Sequence, residues 1–198
     1  MKRIITLSLI AIVAIFCIGQ EKKENYNSKA VKMNSKAVEL MQRFKNDSAA
    51  LILIDKAIEL DKTYYLPHLT KGIIYLNRND LNKALFEWET GINLKPDCSE
   101  CWLMSAMIYD LKGETKNALK YYQKCIDLVD TKISDPDKKN RIKINRLNRA
   151  VLLVLIGQEK EGKQEMSQLK SEYPDMREID ICLKMSKKEF LNQLTHIY

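Results

Sequence analysis

Residues 99–132 read SECWLMSAMIYDLKGETKNALKYYQKCIDLVDTK, and this stretch decides the fold. Its landmarks are Trp102, Ala106, Tyr109, Ala118, Tyr122 and Cys125, with Gly113 between two apolar-periodic halves. Stepping back by 34 residues finds the same kinds of side chain. Ala118 follows Ala84 and Ala50, Tyr122 follows Trp88 and Ile54, Cys125 follows Gly91 and Ala57, and Tyr109 follows Tyr75 and Met41. Small and bulky apolar residues at fixed offsets of this length describe stacked helical hairpins. Each hairpin buries one face against the next and cannot stand alone. The expected class is all-α.

The local signals agree. Pro67, Pro96, Pro136 and Pro174 all fall at or just before expected helix starts, where the missing N–H costs nothing. Gly113 and Gly157 fall between the two helices of a unit, where a left-handed residue ends the first helix. The expected pairs are Lys29 to Phe44 with Ser48 to Leu60, Tyr65 to Asn77 with Leu81 to Leu94, and Ser99 to Lys112 with Thr115 to Val129. Asp47, Ser48 and Asp80 offer capping oxygens. The register then breaks by about ten residues between Thr131 and Ile142. Asp135-Pro136 reads as a cap and first helical position, so a long first helix from Pro136 to Ile156 is expected, paired with Glu159 to Ser171. Its projecting end would display Lys138, Lys139 and Arg141 as a basic patch. Helical patterns follow over Asp175 to Met185 and Lys187 to His196, with Ser186 and Glu189 spaced as a capping box.

These motifs resemble the tetratricopeptide repeat family. In residues 65–98 the matching positions are Gly72, Tyr75, Ala84, Trp88, Gly91 and Pro96, with His68 replacing the early aromatic. Residues 31–64 match less fully, through Met41, Ala50, Ile54 and Ala57. Residues 143–176 match through Ala150, Leu153, Gly157, Gly162, Met166, Leu169 and Pro174. The resemblance covers 31–176 as four repeats (31–64, 65–98, 99–132 and 143–176, with an insert at 133–142) and leaves 177–198 as capping helices. It implies a right-handed superhelical solenoid of antiparallel helix pairs, and a protein-binding role. In the family the first helix of each unit lines a concave face. Carried over, that face holds Leu66, Leu69, Ile73 and Leu76, then Leu103, Met104, Met107 and Leu111, then Ile144, Leu147, Val151 and Leu155. The first unit instead offers Lys32, Ser35, Lys36, Glu39 and Arg43. So three units present an apolar face that must be covered, by a partner helix or peptide or by the tail from Asp175. The family's basic clamp for chaperone tails is absent, since Ser35, Glu39, Thr70, Glu100 and Met104 stand at those positions.

The chain has 198 residues, 45% hydrophobic and 30% charged, ordinary for a helical domain. Residues 1–19 differ. A basic Met1-Lys2-Arg3 precedes the apolar run Ile4 to Ile18, and Gly19-Gln20 leads into polar residues 20–28. That order reads as a bacterial export signal cleaved after Gly19, and the run is short beside the roughly 20 residues of a bilayer span. The alternative is lipidation at Cys17, the one route to membrane association, although Phe16 is bulky for it; an uncleaved anchor is a third reading. An exported, periplasmic or secreted location is expected. Loss of Lys2 and Arg3 takes the net charge from +7 to +5, which does not call for nucleic acid.

Catalytic signals are thin. His68 and His196 adjoin no nucleophile motif, and no phosphate loop or metalloprotease motif occurs. No catalytic residue, cofactor or metal is expected, and the protein is read as a non-enzyme. Cys98-x-x-Cys101 is the sharp exception, at the start of a helix. Thiols there can have lowered pKa and redox activity. Cys98, Cys101 and Cys125 could instead pair in a structural disulfide or simply pack. A thiol redox or metal-binding protein built on Cys98 and Cys101 is therefore the alternative function, although zinc would need four ligands.

Overall fold

The computed structural model describes residues 25–135 and 141–195, with side chains to residue 192. Every regular element among them is helical: α1 (Ser28–Phe44), α2 (Asp47–Leu60), α3 (Leu66–Asn77), α4 (Leu81–Leu94), α5 (Ser99–Leu111), α6 (Thr115–Ser134), α7 (Ile142–Leu155), α8 (Glu159–Glu172), α9 (Arg177–Leu183) and α10 (Lys187–Thr195). They fall into two compact units divided inside α5, one ending at Ser105 and the other beginning at Ala106.

In the first unit α1 pairs with α2 and α3 with α4, and α3 also packs on α1 and α2. Asn27 caps α1 by accepting from the Lys29 N–H at 2.9 Å. Asn46, rather than Asp47 or Ser48, caps α2 by accepting from the Ala49 N–H at 3.0 Å. Asp47 instead sits in the first turn, where its charge suits the helix N-terminus. Asp80 caps α4 through the Lys83 N–H. The core is the periodic stripe. Ala50, Ile54 and Ala57 of α2 and Ala84, Trp88 and Gly91 of α4 are all buried. Gly72 is small because Trp88 lies on it: a Cβ there would overlap the indole. The indole N–H donates to the Leu69 carbonyl at 3.2 Å.

In the second unit α6 packs on α7, α7 on α8, α8 on α9, and α10 on α7. The stripe continues through Ala118, Tyr122 and Cys125, then Gly162, Met166 and Leu169, all buried and now 44 residues apart. Part of the ten-residue break is taken up by α6, which runs past its expected end at Val129. α6 runs on to Ser134, Asp135 is extended (φ −77°, ψ 112°), and α7 starts at Ile142. An extra turn thus belongs to the helix before the break. Residues 136–140, including the expected start at Pro136, lie outside the described residues. The reason is visible in α6, whose Tyr122, Ile126, Val129 and Ile133 prolong one apolar stripe past the point where the repeat would end.

The turns inside the units share one device. Lys45, Asn79, Gly113 and Gly157 all have positive φ, at 50°, 57°, 74° and 93°. The following N–H closes the helix end three times, Asp80 to the Tyr75 carbonyl, Glu114 to Tyr109 and Gln158 to Leu153, at 2.8–2.9 Å. The tail is pinned to its unit. The Lys163 ammonium of α8 donates to the carbonyls of Cys182, Leu183 and Met185 at 3.2, 2.5 and 2.5 Å. Lys187 pairs with Asp110 at 2.7 Å, and Phe190 is 1% exposed. Ser186 and Glu189 form the capping box.

Candidate functional site

Among the first helices of the repeats, α1 is polar at the positions carried over. On α1, Lys32, Ser35, Lys36 and Arg43 are exposed, and Lys36 and Arg43 both pair with Glu39. On α3, α5 and α7 the apolar positions are mostly covered. Leu69, Leu76, Leu103, Met104, Met107, Leu147, Val151 and Leu155 are buried, and Leu66, Ile73, Leu111 and Ile144 are half-buried. Eight of the twelve positions carried over from the family are thus buried side chains in this structure, and four remain half-buried. Apolar side chains of this size stabilise the fold by roughly 1.5–3 kcal/mol each when covered, so an empty wet face of twelve would be costly. On α7 the tail helix α10 supplies part of the cover.

Buried polar groups are the feature that position-by-position reading missed. His68 Nδ1 lies 2.7 Å from Glu87 Oε2, and Lys71 Nζ reaches both Glu87 (3.3 Å) and Asp55 (2.9 Å). His68, which replaces the family's early aromatic, thus makes a polar contact. Burial pulls the Lys71 ammonium down, but its bond to Asp55 and the charges of Glu87 and Asp55 outweigh that and hold it above its usual range. A signal was present: Glu87 shares the stripe of Ala84, Trp88 and Gly91, so an acid had to be buried and paired. Glu100 of α5 is a second buried acid. Its Oε2 accepts from the Ser99 hydroxyl and the Cys98 thiol, and its Oε1 has no partner.

Cys98, Cys101, Cys125 and Cys182 are all buried thiols. Cys98 stands just before α5, and Cys101 Sγ lies against Gly91 of α4. The Cys98 and Cys101 sulfurs are 2.6 Å apart, and the Cys101 N–H donates to Cys98 Sγ at 3.3 Å. The expected lowering of a helix-start thiol is reversed here. Burial pushes the Cys98 thiol well up, reinforced by the bond to Cys101 and the nearby carboxyl of Glu100. Burial also raises Cys182, to about 12. Cys125 belongs to the stripe of α6. Among the described residues no three His, Cys, Asp or Glu side chains are grouped as metal ligands.

Two basic side chains that follow the break, Arg146 and Arg149, are paired with acids. Arg146 holds Glu172 by two bonds, at 2.6 and 3.0 Å, and keeps that carboxyl below its usual range. Arg149 bridges Asp130 and Glu165. Arg141 is half-buried, and Lys138 and Lys139 lie outside the described residues. Large apolar side chains do reach solvent elsewhere. Phe86 is 66% exposed on α4 and Ile52 is 58% exposed on α2, one repeat earlier. Neither was singled out from the sequence, because both stand off the core stripe.

Residues 99–128 match the tetratricopeptide repeat family model. Over 161 residues the chain is 28% identical to the protein O-mannosyl-transferase TMTC1 of Homo sapiens, covering 75% of this chain and 18% of that protein. The TMTC1 protein of Mus musculus matches over the same length at 28% identity, with 17% of it covered. The chain therefore spans less than a fifth of these curated relatives. Similar solved structures include the Sgt2 TPR domain of Aspergillus fumigatus, at TM-score 0.49 and 16% identity, covering 64% of this chain and 83% of that one. YrrB, described as a TPR protein with an unusual peptide-binding site, has TM-score 0.49 and 16% identity over 94% and 92% of the two chains. The first TPR of Spaghetti (RPAP3), bound to an HSP90 peptide, has TM-score 0.49 and 14% identity over 61% and 93%.

Proposed function

We propose that this tetratricopeptide-repeat protein is a non-enzymatic interaction module that holds a helix or an extended peptide against the first helices of its units. The reading is carried by the apolar side chains that α3, α5 and α7 each hold at the positions the family uses for binding. Binding faces of solenoids are built this way, from one element per repeat. Leu66, Ile73, Leu111 and Ile144 are the half-buried members, so a partner would meet them first. Met104 and Met107 would let the face adapt once it opens. The transferase activity of the curated relatives is not carried over, because the chain spans so little of them.

Export to the bacterial envelope belongs to the same proposal, with the signal cleaved after Gly19 or lipidated at Cys17; the mass of the mature N-terminus separates the two. Thiol redox catalysis is the weaker reading, since Cys98 and Cys101 are buried and Cys98 is held protonated. Nucleophilic sulfur needs an accessible thiolate.

The test is site-specific photocrosslinking in the native envelope fraction from Ile73, Leu111 and, as a comparison, Phe86. A defined partner captured from Ile73 and Leu111, and lost from folded Ile73→Lys and Leu111→Lys variants, supports the face. Capture from Phe86 alone moves binding to the second helices and ends this reading.

A further inference from the structure

The pair before and within the first turn of α5 has the geometry of a bond waiting to close. Cys98 is one residue outside the helix and Cys101 is three residues on, a spacing that brings two side chains to the same side of a helix start. Their sulfurs are 2.6 Å apart, against roughly 2.05 Å for a disulfide. Both are buried, 1% and 0% exposed, and Cys101 is backed by Gly91, where even a Cβ would meet its sulfur at 2.9 Å. Cys125 and Cys182 stand on other helices, α6 and α9.

We propose that Cys98 and Cys101 are a redox-closed clasp at the joint between α4 and α5, oxidised to a disulfide by a small-molecule disulfide such as that of glutathione. One thiolate attacks the small disulfide, releases one thiol and forms a mixed disulfide. The second cysteine then displaces the other thiol. The two cysteines lose two protons and two electrons, one S–S bond forms, and one small disulfide becomes two thiols. Because the pair is buried, the exchange takes place during folding or when the start of α5 opens, and the finished bond is shielded from reductants. Closure also removes the Cys98 S–H that donates to Glu100, leaving that buried carboxylate with the Ser99 hydroxyl. The first turn of α5 thus differs in hydrogen bonding between the two redox states. This holds whether or not a partner binds the first-helix face.

The full chain is equilibrated in glutathione buffers of graded potential, quenched in acid, alkylated under denaturing conditions and mapped by peptide mass. The expected product is a disulfide between Cys98 and Cys101, with Cys125 and Cys182 alkylated. Its equilibrium constant in the folded chain should exceed that in denaturant by at least about tenfold, or about 30 mV. Cys98→Ser keeps a capping side chain, so a folded variant without the bond is available as the control. Cys125→Ser should leave the bond unchanged. Alkylation of both Cys98 and Cys101 across the series, pairing of either with Cys125, or equal constants in folded and denatured chain would each overturn the clasp.

Discussion

Gly72 and Gly113 show how differently one residue type can be constrained. A Cβ at Gly72 would overlap the Trp88 ring, which is fully buried and cannot withdraw. At Gly113 nothing lies within 4 Å of a Cβ, and only its φ of +74° resists a side chain. Gly72→Ala should therefore cost about 1–3 kcal/mol by overpacking, and Gly113→Ala about 1–2 kcal/mol by backbone strain. Urea midpoints of the two variants check the values. Near-ultraviolet tryptophan signals should change for Gly72→Ala and stay native for Gly113→Ala. Titration adds a second test. Burial raises the Cys182 thiol from 9.0 to about 12. A raised pKa means the folded chain keeps the proton after the unfolded chain has lost it. This contribution is whole below about pH 9 and is lost as pH climbs towards 12, at up to about 1.4 kcal/mol per pH unit. Under reducing conditions Cys182→Ala should flatten that alkaline slope, whatever it does to stability at neutral pH. An identical slope would mean that the thiol titrates alike in both states. The sequence showed the stripe itself, from Ala50 to Leu169, because size and period suffice there. It did not show that Glu87 would find His68 and Lys71, since that pairing crosses between helices and has no period.

At the scale of elements, the caps at Asp80 and Ser186 and most helix bounds were legible, while the cap of α2 and the end of α6 were not. Asp80 and the Ser186–Glu189 box act within three residues, so the sequence contains the whole interaction. α6 was expected to end at Val129, yet it runs to Ser134, because Val129 and Ile133 prolong its apolar stripe. The tail offers a sharper test. One ammonium, Lys163, satisfies three carbonyls around the end of α9. Lys163→Met keeps the aliphatic stem and leaves those acceptors without it, a loss of about 1.5–3 kcal/mol of charge-assisted bonding. Hydrogen exchange over 177–192 should accelerate, with α7 much less affected. Uniform acceleration through the whole chain would mean that the tail is not separately held.

For the whole molecule, the repeat determined which side chains face one another, and composition alone could not tell whether an apolar row would be open or covered. Leu147 and Ile144 look equivalent in sequence, yet one is buried and the other half-buried. Repeat arrays hold together through neighbours, so damage should spread by proximity along the chain. In the Gly72→Ala variant, exchange should rise across α1–α4 before it rises across α7–α9. Equal loss everywhere would show instead a single cooperative fold.

The four turns with positive φ hold Lys45, Asn79, Gly113 and Gly157. Asparagine and glycine tolerate that conformation, whereas lysine carries its strain in full. Lys45→Gly should then raise stability by about 1 kcal/mol, a shift of a few degrees in Tm. That is about the cost of one average harmful substitution. The turn is thus a reserve of mutational tolerance: a lineage or an engineer could draw on it once, in exchange for a new but destabilising residue on the proposed binding face.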